Sequence, residues 1–220
     1  MRIPSTTRTF LLRLSHSSSR IAALIIFGFA MLGATLQAQT PAVGKTAPDF
    51  TLNTPTGTPV QLSKGLPHSS TVLIVLRGYP GYQCPFCQKQ LHDYIEHAAE
   101  FAAKKATVLL VYPGPPADLD QRAREALEKQ ANLPSNIALV IDPDYKVTNL
   151  YGLRWDSPHE TAYPSTFILD RNGKVLFEKI SHGHGDRTSA QDVLGQLPND
   201  EISTTRTTVR FTANLDSEQS

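Results

Sequence analysis

Apolar and polar residues follow two regimes along this chain: a continuous apolar stretch at residues 21–36, and short alternating or periodic runs beyond it. The run Thr71-Val72-Leu73-Ile74-Val75-Leu76 is unbroken and rich in β-branched side chains, the pattern of a strand buried on both faces. From Pro85 onward Cys87, Leu91, Ile95, Ala98 and Ala102 recur at helical spacing, and Lys104 and Lys105 suit the negative end of that helix. Residues 107–111, 138–141 and 166–169 read as further strands. The turn Asp170-Arg171-Asn172-Gly173 folds the last of these into a hairpin with residues 174–177. Pro113-Gly114-Pro115-Pro116 reads as a rigid loop, after which Asp118 opens a charged helix that ends before Pro134. Asp142-Pro143-Asp144 is a turn before a short helical piece with Val147, Leu150 and Tyr151, and residues 190–197 form a last helix. Near the start, Thr56-Gly57-Thr58-Pro59 joins residues 47–52 to residues 60–62 as a short hairpin. Strands alternating with helices and closing on a hairpin predict a mixed α/β sandwich.

The apolar stretch follows Arg2, Arg8, Arg13 and Arg20 and ends in small residues, Ala34 and Ala38, before a polar Gln39-Thr40-Pro41 segment. That is the order of a secretory signal peptide, with cleavage expected near Ala38. The competing reading is an uncleaved membrane anchor, since about 16 apolar residues approach the roughly 20 of a bilayer span. No cysteine lies at the junction to take a lipid. The expected organisation is thus a signal peptide at 1–38, one domain at 39–198 and a polar tail at 199–220, where residues 207–211 offer an edge strand. Export to a periplasmic or other extracytoplasmic compartment follows, with membrane contact only if the first segment stays attached.

A net charge of +1 with 19% charged residues gives no basic face for nucleic acid. The chain has two cysteines, in Gln83-Cys84-Pro85-Phe86-Cys87, directly after a strand-like run and at the start of a helix. A C-x-x-C in that setting is a thiol–disulfide redox centre: both sulfurs fall on one helical turn, where the dipole and unpaired N–H groups favour a thiolate. A bridge closing so short a loop constrains the unfolded chain little, so stability is a poor reason to keep it. The periodicity turns Cys87 to the core and leaves Cys84 capping an exposed tip.

Ala47-Pro48-Asp49-Phe50, the strand, the C-x-x-C helix, Asp142-Pro143-Asp144, Tyr151-Gly152 and the Tyr163 to Asp170 segment Tyr-Pro-Ser-Thr-Phe-Ile-Leu-Asp occur in an order that resembles the thioredoxin superfamily. More narrowly, residues 44–197 resemble the branch holding peroxiredoxins (the alkyl hydroperoxide reductase and thiol-specific antioxidant family) and exported thioredoxin-like oxidoreductases. The resemblance implies a three-layer sandwich, its mixed central sheet flanked by helices, with an N-terminal hairpin extension. It also implies two chemistries. Peroxiredoxins carry a proline, a hydroxyl residue four later and a peroxide-attacking cysteine seven later; Tyr79-Pro80 matches the opening and Cys87 the peroxidatic place, but Cys84 stands where the hydroxyl belongs. The family's distant arginine aligns with Pro164 and is missing. Thioredoxins instead pair two cysteines with a cis-proline, which Tyr163-Pro164 resembles.

The first reading is therefore an exported thiol–disulfide oxidoreductase in which Cys84 attacks and Cys87 resolves. In it Pro164 is cis and the Tyr163 backbone pairs with an incoming peptide. Arg77 is a candidate thiolate stabiliser, with a solvated strand-end arginine as the alternative. Arg154, beside Trp155, reads as a surface cation. Tyr79, Tyr82 and Phe86 are expected to pack around the sulfurs. His182-Gly183-His184 resembles a metal pair, but its spacing fits no strong site and it reads as a turn; no metal or other cofactor is expected. Expected partners are protein or small-molecule disulfides, with peroxides as alternative substrates, and a thiol electron donor or acceptor. Two alternatives stay open: a thiol peroxidase with Cys87 as nucleophile, and a non-catalytic peptide-binding domain.

Overall fold

The computed structural model describes residues 40–64, 70–127 and 133–198. The expected signal peptide and polar tail, with its edge strand, lie outside the described residues. Strands β1 (Thr51–Asn53), β2 (Pro59–Gln61), β3 (Ser70–Val75), β4 (Ala106–Gly114), β5 (Ile137–Pro143), β6 (Ser165–Asp170) and β7 (Val175–Ile180) form one open mixed sheet in the order β2-β1-β5-β4-β3-β6-β7. β3, β4 and β5 run parallel, while β6 returns antiparallel to β3 and β1 antiparallel to β5. Helices α1 (Pro85–Glu96), α2 (Ala98–Ala103), α3 (Leu119–Leu127) and α5 (Ala190–Gln196) cover one face, and the shorter α4 (Lys146–Leu150) joins the other.

The alternation along β3 shows why the layers form. Val72 and Ile74, with Leu76 just beyond the strand, bury against Cys87, Leu91, Tyr94 and Phe101 on the α1 side, whereas Leu73 and Val75 bury against Val147, Tyr151 and Phe167 on the other. A strand apolar on both faces can only sit between two layers. The expected three-layer α/β architecture is thus the observed one, including the β1–β2 hairpin.

Two local expectations need correction. The run beginning at Pro85 is two helices, because the backbone leaves helical geometry at His97 (ψ 13°). Pro113 and Gly114 do not form a loop; they extend β4, pairing with Asp142 and Pro143 at the end of β5. Proline is tolerated there because its carbonyl still bonds, accepting the Tyr79 N–H at 2.9 Å. That contact anchors the segment leading to the cysteines. Gly78, at φ 72°, lies so close that an added Cβ would stand 1.9 Å from the Pro113 oxygen.

Candidate active site

Cys84 caps the N-terminus of α1 and Pro85 occupies its first turn, where a missing N–H costs nothing. The helix has no acidic residue in that turn to compete for the positive dipole. Cys87 lies one turn on, facing the core as its periodicity predicted. The expected exposure of Cys84 is not observed. Both thiols are buried, 1% and 3% exposed, while Tyr82 and Phe86, each 47% exposed, form the outer rim. The turn from Gly78 to Gln83 folds back over the helix tip instead of leaving it open, because Tyr79 is tied to Pro113 and Gln83 to the Tyr112 hydroxyl (2.9 Å).

The two sulfurs differ in acidity. Cys84 is pulled down to about 5, first by the Cys87 thiol donating to it, then by the Cys87 backbone N–H, the Arg77 side chain and the charge of Arg187, against the opposing cost of burial. Burial pushes the Cys87 thiol up, and its hydrogen bond to Cys84 holds the proton further. The dithiol thus has one sulfur suited to be an anion and one suited to be its donor.

Arg77 is no surface cation. It is 2% exposed, and every nitrogen of its guanidinium is engaged: Nε donates to Glu160 Oε2 at 2.5 Å, Nη1 to the Tyr82 hydroxyl at 2.9 Å and Nη2 to the His159 carbonyl at 2.6 Å. Although burial opposes its charge, the bonds to Glu160, Tyr82 and Cys84 raise its pKa. Glu160, also opposed by burial, is held below the usual carboxylate range by Arg77 and His184. Its second oxygen meets His184 Nε2 at 2.8 Å, so His184 turns toward a carboxylate.

Sequence reasoning missed Arg187. Its Nη2 points at Cys84 Sγ from 4.0 Å, its Nη1 donates to Gln90 Oε1 at 2.9 Å and its Nε to the His184 carbonyl at 2.7 Å. A cation thus approaches the cysteine from a different segment than the aligned one. Pro164, in the aligned place, lines a narrow cleft with Gln90, Arg187 and Thr188. The expected cis bond before it is corrected: the described residues contain no cis peptide. The trans chain runs straight into β6, with Tyr163 N–H donating to Leu153 O (2.9 Å), Tyr163 O accepting from Ser165 Oγ (2.8 Å) and Pro164 O accepting from Ser181 N–H (2.8 Å). The Tyr163 backbone is therefore already paired within the protein.

Tyr79 packs against the core under the Arg122 guanidinium, 5.3 Å from its ring centroid, and Pro80 is half-buried beside it. Arg154 braces the 153–163 loop by donating to the carbonyls of Trp155, Glu160 and Thr161, and lies 4.0 Å from the Tyr145 ring centroid. A row of rings, Phe86, His184, Trp155, Tyr163 and His182, borders the site.

The chain is similar in sequence and fold to known proteins. The sequence profile of the AhpC/TSA family covers residues 43–177. Peroxiredoxin Q of Arabidopsis thaliana chloroplasts is 32% identical over 132 residues, 60% of this chain and 56% of that protein. Alkyl hydroperoxide reductase E of Mycobacterium tuberculosis is 28% identical over 138 residues, 63% of this chain and 84% of that protein. The chain therefore spans little more than half the length of the plant relatives, as with the 57% matched in Oryza sativa peroxiredoxin Q. Among solved structures, peroxidoxin BcpB of M. tuberculosis superposes with a TM-score of 0.59 at 25% identity, covering 71% of this chain and 96% of that one. A Chlorobium tepidum protein assigned as a thiol:disulfide interchange protein DsbE gives 0.53 at 25% identity, covering 72% and 100%. A profile running from ahead of β1 into β7, on this sheet order and around this cysteine-capped helix, makes the chain a member of the AhpC/TSA family, in the peroxiredoxin-like branch of the thioredoxin superfamily.

Proposed function

We propose that the chain is an exported thiol–disulfide oxidoreductase in which Cys84 is the nucleophile and Cys87 the resolving thiol. The observation that carries this reading is the placement of the pair: Cys84 at the N-terminus of α1 with Arg187 Nη2 4.0 Å from its sulfur, and Cys87 one turn on within the core. The Cys84 thiolate attacks one sulfur of a substrate disulfide and expels the other as a thiolate, leaving a mixed disulfide. Cys87 then gives its proton to the departing thiolate and attacks the Cys84 sulfur, breaking the mixed disulfide and expelling the second substrate sulfur as a thiolate that takes its proton from water. The substrate leaves as a dithiol, and the protein keeps a Cys84–Cys87 disulfide for a thiol partner to reduce. Run in reverse, the same steps oxidise a client. Pro164, buried beside Arg187, backs that arginine in this reading, and the exposed rings of Tyr82 and Phe86 meet the substrate. The test traps the intermediate: Cys87→Ser should accumulate mixed disulfides with a model protein disulfide, and Cys84→Ser should form none. Trapping by Cys84→Ser, with none by Cys87→Ser, would reverse the assignment.

A second reading, a thiol peroxidase, is favoured by the two guanidinium groups at one thiol and by the peroxiredoxin names of the relatives. Arg187 acts on both thiols, but its only hydrogen-bond contact with a sulfur among the described residues is with Cys84, which supports Cys84 in a peroxidatic role as well. Fast, saturable peroxide consumption by Cys84→Ser, with none by Cys87→Ser, would return the role to Cys87.

A further inference from the structure

We propose that Glu160 and His184 are positioning residues for the Cys84 nucleophile, fixing the two guanidinium groups that act on its sulfur: Arg77 through the Glu160 carboxylate, Arg187 through the His184 backbone. The proposal rests on the reading that Cys84 attacks.

The argument begins with Arg77. With Glu160 at 2.5 Å, and their side chains 2% and 11% exposed, the two charges nearly cancel at a distance. Arg77 can therefore act on the sulfur only by aiming an N–H at close range, and aim depends on orientation. The fork is fixed from three sides: by Glu160, by the Tyr82 hydroxyl and by the carbonyl of His159. His159 stands at φ 61°, a left-handed conformation uncommon for a side chain of its size, and there its carbonyl and the next residue's carboxylate both meet one guanidinium. Such strain persists where the surroundings over-determine it. Arg154, which donates to the carbonyls of Glu160 and Thr161, holds this loop from below.

His184 joins the two sides. Its Nε2 meets the free oxygen of Glu160, and its carbonyl accepts from Arg187 Nε, so one residue touches both supports. Phe86 and Trp155 flank its ring, with centroids 6.3 and 5.3 Å away. Among the described residues no carboxylate pairs with Arg187; its acceptors are the His184 carbonyl and the Gln90 amide, so no ion pair offsets its charge beside the sulfur. The groups facing Cys84 are then Cys87 from α1, Arg77 after β3, Arg187 from the 181–188 strap and Tyr112 from β4. Those facing the Glu160 carboxylate are Arg77 and His184.

The pH dependence of iodoacetamide alkylation of the reduced full chain, read at Cys84 by peptide mass spectrometry, tests this. The wild-type midpoint is expected near about 5. Glu160→Ala should raise it by about one pH unit or more, a roughly tenfold loss of thiolate below the midpoint. Glu160→Gln, whose amide oxygen still accepts from Arg77 Nε, should restore most of that loss, which a purely electrostatic role would not. His184→Phe keeps the ring contacts and the backbone oxygen but gives up the Nε2 bond, and should raise the midpoint by less. A midpoint unchanged or lowered in Glu160→Ala would show that the carboxylate only damps Arg77 and would overturn the proposal. Should that variant not fold, an unchanged midpoint in His184→Phe overturns it. A wild-type Cys84 that titrates as an ordinary thiol would instead sink the nucleophile assignment itself, and the proposal with it.

Discussion

Arg77 and Arg187 approach one sulfur, yet their removal should cost the protein differently. Arg77→Ala leaves the Glu160 carboxylate buried with only His184 to meet it, a loss of about 3–5 kcal/mol for a broken buried pair. Arg187→Ala gives up charge-assisted hydrogen bonds, worth roughly 1.5–3 kcal/mol each, but strands only neutral acceptors and no buried charge. Urea midpoints should thus fall more for Arg77→Ala, while alkylation of Cys84 slows in both. Equal midpoints would mean that water or a rearranged side chain meets Glu160. Acidity has its own signature in stability. Folding holds the Cys84 pKa at about 5 against an ordinary 9.0. Between those values the unfolded chain binds a proton that the folded chain does not, so the stability of the reduced protein should rise from pH 5 toward 8 and be lost as pH falls through about 5. The raised pKa of Cys87 acts above the ordinary thiol range and lowers stability only there. Thermal melts of the reduced protein should show this rise, and Cys84→Ser should flatten it; a rise of equal size in the variant would assign it to other groups.

The crossing of the β3 exit over the end of β4 is the element on which the site is built. Gly78 has both a positive φ and no room, so Gly78→Ala should destabilise by more than about 1 kcal/mol and slow Cys84 alkylation as well, because Arg77 precedes it and the cysteine turn follows. Normal alkylation in a destabilised Gly78→Ala would show that the crossing matters only to packing. Much at this scale was legible. The two-faced apolar run of β3, the 3.6-residue period through Cys87 and Leu91, and the Gly173 turn each encode local structure in local residues. The continuation of β4 through Pro113 was not, since it depends on the partner strand and on Tyr79, neither of which a proline-rich stretch announces. The site was legible in its cysteines and in Arg77, but not in Arg187, which lies 103 residues from Cys84 in a short loop of small and polar residues. Glu160 and His184 share that fate; His184 drew notice only as part of a His-Gly-His turn. The Tyr163-Pro164 resemblance misled because a motif names residues and not the backbone geometry between them.

For the whole molecule, a pocket that stabilises one thiolate stabilises the dithiol over the disulfide, and so makes the couple more oxidising. The Cys84–Cys87 couple should therefore lie above the roughly −270 mV of thioredoxin when equilibrated with glutathione buffers. A value at or below that figure would mean the oxidised form gains comparable support. The same stabilisation has a reach beyond chemistry, through the 181–188 strap. That strap is pinned to α1 by Gln90 and to β6 by the contact between the Thr188 and Thr166 hydroxyls (2.8 Å), but in its middle Arg187 faces the Cys84 sulfur. Forming the disulfide erases the anion there and leaves a guanidinium facing a neutral sulfur, while the outer residues of the strap stay at the surface. Amide exchange across residues 184–187 should then quicken on oxidation, so that a partner touching only the outside could sense whether electrons are stored beneath.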